Sequence, residues 1–189
     1  MATTDKTSTR DRLLDAAGEL FYREGVSIGV EALCRTAGVS KRSMYQLFTS
    51  KDEVLAASLA RRLPAYEAQL VPDALEAATP RERILHVFER LEKAAAESAY
   101  QGCPYLAALV ELKDPEHPAS VVAGGAKAGM KEFLRARAEE GGARDPDLLA
   151  RQLMVVFDGA SARAGARIET LDGLTVTTAT TLLDAAGMN

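Results

Sequence analysis

Between Ala32 and Lys51 the chain carries four bases, Arg35, Lys41, Arg42 and Lys51, and no acid. The chemistry such a stretch offers is neutralisation of a polyanion's phosphates. Within it Lys41, Arg42, Ser43 and Gln46 supply polar groups, while Met44 and Phe48 recur four apart, so a helix here has one polar and one apolar face. Residues 37–40, Ala-Gly-Val-Ser, join this helix to a preceding one over about Val30–Ala37. A glycine in a short turn between two short helices is the mark of a helix-turn-helix. In that motif the first helix braces across the nucleic-acid backbone and the second lays its polar face in the major groove. The competing interpretation is a solvated basic helix of an ordinary bundle; charge and spacing favour DNA.

The elements that must hold this motif are helical. Ala and Leu far outnumber Val and Ile, and there is no Trp, which favours helices over strands. A first helix is expected over about Thr9–Glu24, with Ser8 and Asp11 spaced as a capping box, an apolar face of Leu13, Ala17, Leu20 and Phe21, and Gly25 as a left-handed cap. Ser40 caps the second helix of the motif. Ser50 and Glu53 open a further helix from Lys51 to at least Arg62, where Pro64 is expected to end or kink it. Thr79-Pro80-Arg81-Glu82 is a cap, proline and acid in helix-start order, opening a helix that runs to near Gly102. Further helices are expected over Pro104 to about Leu112, from Asp114-Pro115 to about Glu140, from Asp145-Pro146 to Arg167, and over Leu174–Ala186. The Val- and Thr-rich residues 174–178 are the one stretch with an extended alternative. The fold class is all-α with about nine helices.

The chain has 189 residues and a formal net charge of -4, which taken alone argues against a nucleic-acid binder. Divided at Pro64, it resolves into +2 for residues 1–63 and -6 for residues 64–189. The two cysteines, Cys34 and Cys103, cannot build a disulfide framework and are expected to be free thiols of a reducing cytosol. With two histidines they offer no metal-site spacing, and no cofactor is expected. No apolar run reaches a membrane span. Residues 1–8 are polar, lack a signal core, and are expected to be a disordered tail.

Residues 37–55, AGVSKRSMYQLFTSKDEVL, and residues 13–26, LLDAAGELFYREGV, resemble the signature of the TetR (tetracycline-repressor-like) transcriptional regulators; residues 102–118 resemble a segment of one branch of that family. The resemblance implies an all-α homodimer. Three N-terminal helices bind a palindromic operator in double-stranded DNA, and a larger body binds a small molecule. It implies that Tyr45 and Lys51 meet phosphates, that Thr36 adds a phosphate contact, and that Lys41, Arg42 and Ser43, flanked by Ser40 and Gln46, face the groove. Two positions depart from the family's usual pattern. Gly29 or Ser27 must cap the second helix where relatives have Thr, and Leu47 replaces a polar residue, offering a contact to a thymine methyl instead. The expected organisation is a tail over 1–8, a DNA-binding head over 9–50, a connecting helix 51–63, and a ligand-binding and dimerisation body within 51–189.

In the body, Tyr66, Phe88, Tyr100 and Tyr105 together with Met130, Phe133 and Phe157 offer the apolar wall of a small-molecule pocket, with His86, Cys103 or Glu111 as polar anchors. Each is also an ordinary core candidate. Leu149, Leu153, Val156 and Ala160, with Val176, Leu182 and Leu183, are candidates for a four-helix dimer interface, which would suit a palindromic operator. The expected function is a cytoplasmic repressor, associated with the nucleoid when bound to DNA and released from it by an apolar effector. The other classes weighed are an enzyme on a helical scaffold, for which no HExxH, P-loop, GxSxG or dinucleotide turn is present, and a DNA-binding or protein-interaction module with no ligand.

Overall fold

The computed structural model describes residues 8–71 and 79–188. Among them lie nine helices and no strand: α1 Thr9–Glu24, α2 Val30–Ala37, α3 Lys41–Leu47, α4 Lys51–Leu70, α5 Pro80–Ala95, α6 Pro104–Leu112, α7 Pro118–Glu140, α8 Pro146–Gly165 and α9 Leu174–Ala186. Residues 1–7 of the expected tail lie outside the described residues, whereas Ser8 caps α1 by accepting from the Asp11 N–H at 3.0 Å. The Val- and Thr-rich residues 174–178 are helical.

Four boundaries differ from expectation. Pro64 does not end α4, which continues to Leu70; the lost helix bond is offset by burial of Leu70 and by Tyr66, which packs edge-on against Tyr105 with ring centroids 5.1 Å apart. Helix α5 stops at Ala95, and the chain to Gly102 leaves the helical path, where the Tyr100 hydroxyl pairs with Ser161 Oγ at 2.8 Å. Asp114-Pro115 makes a turn instead of a helix start: Asp114 Oδ1 accepts from the Glu116 N–H at 3.0 Å, and His117 Nδ1 caps α7 by accepting from the Ala119 N–H at 3.1 Å. Gly25 has φ 84° and ψ 179°, a positive-φ extended conformation open to glycine and not a left-handed cap.

The described residues divide into two compact units. The first holds the chain as far as Leu63 together with Ala107–Gly124, and the second holds Pro64–Leu106 and the chain from Gly125 onward. The first unit is built on Leu13, Ala17, Leu33, Met44 and Val54 of α1 to α4 and on Phe48, which follows α3. It extends beyond the expected head at 9–50, because residues 107–124 are tied into it. Glu111 Oε2 accepts from the Val26 N–H at 2.8 Å, and His117 Nε2 lies 3.5 Å from Asp52 Oδ1.

The second unit packs Ile84, Phe88 and Leu91 of α5 against Leu149, Leu153 and Phe157 of α8 and Ala179 and Leu183 of α9. Of the expected interface residues, four belong to this core and three stand at its edge. Leu149, Leu153 and Leu183 are at most 1% exposed and Ala160 is 9% exposed within a single chain, and Val156, Val176 and Leu182 lean on the same core. The four buried side chains serve the protomer, and the three at the edge keep part of their surface outward. What α8 leaves outward is Leu148, Gln152, Val155, Gly159 and Ala162, beside the charged Asp147, Arg151 and Arg163.

One carboxylate fastens α9. Glu92 of α5 accepts from the N–H groups of Gly173 and Thr175 at 2.8 and 2.9 Å and of Val176 at 3.2 Å, and from the Thr175 hydroxyl at 2.5 Å. These are the orphan donors of a helix start whose own cap, Gly173, has no side chain to offer. Burial opposes the charged form of Glu92, but the hydrogen bonds from Thr175, Val176 and Gly173 outweigh it and hold the carboxyl below its ordinary 4.5. A carboxyl held low stabilises the fold above its ordinary value, and that contribution fades as pH falls through the lowered one. Glu92→Gln is expected to cost about 2 kcal/mol at neutral pH. Thermal unfolding at pH 7 and in mild acid checks this: the difference between parent and variant should narrow in acid.

Candidate nucleic-acid interface

The helix-turn-helix is set by local chemistry. Gly38 adopts a left-handed conformation, φ 63° and ψ 38°, which only glycine takes without strain. Its N–H donates to Arg35 O at 3.2 Å and the Val39 N–H to Cys34 O at 3.0 Å, closing the end of α2 as a Schellman motif. Ser40 then starts α3 by accepting from the Ser43 N–H at 3.0 Å, and the two hydroxyls pair at 2.8 Å. Ser40 and Ser43 thus hold α3 in place with the same oxygens that the sequence offers to DNA. On the inner face Met44 is fully buried and touches Cys34, sulfur to sulfur, at 3.9 Å. Gly29 precedes α2 in extended conformation with no side-chain cap.

The outer face carries Arg42, Tyr45, Gln46 and Leu47, with Tyr45 54% and Leu47 43% exposed. Thr36 is exposed on the last turn of α2. Among the described residues, no ion pair ties down Arg42. Lys41 is different: its ammonium lies 2.6 Å from Glu31 Oε1 on α2. The hydrogen bond and the charge of Lys41 lower the Glu31 carboxyl, and the bond to Glu31 raises the Lys41 ammonium. Lys51, half-buried at the start of α4, donates to Val26 O at 2.9 Å, which leaves two of its three N–H donors for other partners. The Val26 peptide is therefore held at both ends, by Glu111 through its N–H and by Lys51 through its carbonyl.

Sequence patterning missed three neighbours of this face. Arg12 of α1 reaches Gly38 O at 3.5 Å, Arg10 stacks over the Phe48 ring at 5.4 Å, and Glu31 sits on Lys41. The N-terminal turn of α1 thus adds two cations beside the motif.

The expected pocket residues fall in the second unit, Glu111 excepted. Phe88, Met130 and Phe157 are core, with Phe88 and Phe157 edge-on at 6.4 Å. Phe133 lies half-buried beneath Arg137, 5.6 Å from its guanidinium. Tyr105 and Cys103 are buried, and Tyr66, pushed well up by burial and by the Cys103 thiol, lies beside them. His86 is half-buried on α5, with Nδ1 3.6 Å from Glu89. Glu111 is not among this group; it belongs to the first unit. An ion pair that the sequence did not single out joins Lys127 of α7 to Asp158 of α8, and the ammonium stands 5.0 Å over the Phe157 ring. Both cysteines are free and buried. Among the described residues, no cluster of three metal-ligating side chains occurs, and no helix is long and apolar enough to cross a membrane.

Residues 13–58 match the profile of bacterial regulatory proteins of the tetR family. The crystal structure of a TetR-type transcriptional regulator from Streptomyces avermitilis is 63% identical, superposes with a TM-score of 0.94, and pairs 96% of this chain with 100% of that one. The chain belongs to the TetR family. A second member, SCO4454 of Streptomyces coelicolor, shares the fold at a TM-score of 0.86 and 23% identity over 94% of this chain and 95% of its own. Among curated proteins, the HTH-type transcriptional regulator SrpR of Pseudomonas putida is 42% identical over 66 residues, 34% of this chain and 31% of its own length. The chain thus spans under a third of that relative's length. This TetR-family member is a transcriptional regulator whose helix-turn-helix is α2 and α3, and its relatives are regulators, not enzymes.

Proposed function

We propose that this regulator binds a palindromic operator as a homodimer and represses transcription until an apolar small molecule binds its second unit. The observation that carries the DNA reading is the outer face of α3. Arg42, Tyr45, Gln46 and Leu47 point to solvent from a helix fixed by Met44 and the Ser40 cap, with Lys51 poised at the start of α4. Arg42, Gln46, Leu47 and Lys41 address base edges, while Tyr45, Thr36 and Lys51 address phosphates; Ser40 and Ser43 orient the helix. Operator selection from a randomised duplex pool, followed by titration, tests it. Tyr45→Phe should weaken binding a few-fold and evenly across sequences, and an unchanged affinity would remove Tyr45 from the site.

The dimer reading moves to the face that α8 and α9 leave outward. Val155 is 73% exposed, Leu148 47% and Leu174 52%. Thr178 and Thr181 return their hydroxyls to the carbonyls of Leu174 and Thr177, at 2.7 and 3.0 Å, so their methyl groups cover the helix surface. Such a face supports close helix pairing between two copies. Val155→Glu should give a monomer in sedimentation velocity and lose affinity for a palindromic duplex. A dimer that survives the substitution would place the interface elsewhere.

The effector reading is supported by polar groups set among aromatic rings in the second unit: Tyr100 on Ser161, and Lys127 on Asp158 over Phe157. An effector that relieves repression must bind the DNA-free state more tightly than the DNA-bound one. The discriminating observation against a ligand-free module is a compound that both raises the melting midpoint and releases operator. We assign the chain to the bacterial cytoplasm, at the nucleoid when bound.

A further inference from the structure

Residues 25–51 contain a single acid, Glu31. It projects from the first turn of α2 with its side chain 77% exposed, and it holds the first lysine of the recognition helix, itself 54% exposed, at 2.6 Å. Arg35, one turn further along α2, adds its attraction to the same carboxylate. A carboxylate on a surface meant for phosphates is unfavourable twice over. It repels the backbone, and it neutralises a lysine that would otherwise displace a counterion. Sequence-independent binding is made almost wholly of those terms, so the pair subtracts from it. Base readout is made of directed donors and acceptors, and there the pair adds. The Lys41 ammonium keeps N–H groups that can donate to guanine O6 or N7, and the Glu31 carboxylate keeps lone pairs that can accept from the cytosine amino group.

We propose that Glu31 and Lys41 act as one specificity-determining unit that reads a G·C pair in the major groove and suppresses binding to non-operator DNA. This rests on the DNA-binding reading above. Lys41 is then a base reader whose charge is covered, and Glu31 is both its positioning residue and a reader in its own right.

The bland role for Glu31 is support of the α2 start, where Gly29 brings no capping side chain and an acid in the first turn suits the helix dipole. Loss of that role would lower the melting midpoint and weaken all DNA binding together. The test is a double-mutant cycle of Glu31→Ala, Lys41→Ala and the combined variant in the full-length protein. The probes are a random-sequence 30-base-pair duplex, titrated between low and moderate salt, and sites selected from a randomised duplex pool.

Glu31→Ala should bind the random duplex several-fold more tightly, with a salt slope steeper by about one because Lys41 is released to a phosphate. Its selected sites should lose a G·C preference at one position of each half-site. Lys41→Ala should bind the random duplex more weakly than the parent, having uncovered Glu31, and the double variant should recover most of that loss. An unchanged salt slope and unchanged selected sites for Glu31→Ala would overturn the proposal while leaving DNA binding intact. Failure of the parent to bind any duplex would overturn both.

Discussion

Gly165→Ala is expected to destabilise the second unit by about 3 kcal/mol, a fall of roughly 6–12 °C in the melting midpoint. The Cβ would stand 2.5 Å from the Gln101 carbonyl carbon and 2.6 Å from the Gly102 N. Both are backbone atoms of the strand-free segment leading into α6, and backbone cannot rotate aside as a side chain can. Gly102 itself has φ 96°, and a Cβ there would come within 3.2 Å of Ser161 O. Two glycines therefore let this segment cross α8 at close range. The same substitution at Gly125, exposed on α7, should have the opposite sign. A Cβ on Gly125 meets nothing within 4 Å, and alanine in a helix interior is worth up to about 1 kcal/mol over glycine. Thermal denaturation of the two variants side by side checks the pair. A Gly165→Ala variant as stable as the parent would mean that the crossing is looser than described.

On the DNA side the largest losses are expected at Arg42 and Lys51, with different signatures. Arg42→Ala should cost about ten-fold or more on a selected operator and relax the preference at one position, because a bidentate arginine contact discriminates between bases. Lys51→Ala should weaken operator and random duplex alike and lower the salt slope by about one. It also removes the donor on the Val26 carbonyl, so a modest fall in the melting midpoint should accompany it. Fluorescence anisotropy at several salt concentrations separates the two. A Lys51→Ala variant that changes sequence preference but not salt slope would reverse the assignment.

The fold was legible because its punctuation is local. Ser8, Ser40, Thr79 and Asp145 each cap a helix through their own side chains, and such signals lie within four residues of the boundary they set. The inward face of α3 was legible for the same reason, since Met44 and Phe48 are one turn apart. What was not legible depends on partners distant in sequence. Pro64 breaks an isolated helix, yet α4 continues through it because burial of Leu70 outweighs one missing bond. The stripe Leu149, Leu153 and Ala160 has the spacing of an interface, and spacing does not say whether the partner helix belongs to the same chain. The stretch of four bases without an acid was a fact about sequence alone; Glu31 stands one residue before it and folds back onto Lys41. The fastening of Val26 by Glu111 joins residues 85 apart, and no local pattern announces it.

The inclusion of residues 107–124 in the first unit bears on how the protein is made. The amino-terminal unit of most chains can finish folding as soon as it has emerged from the ribosome. Here α1 to α3 emerge first, but Glu111 and His117, which hold the Val26 peptide and face Asp52, are not yet synthesised. The unit closes only after an intervening stretch of the other unit has been translated. A gene fragment cut after Leu63 would therefore encode a head lacking these ties, and the nascent chain would acquire its complete first unit only once translation had passed Gly124.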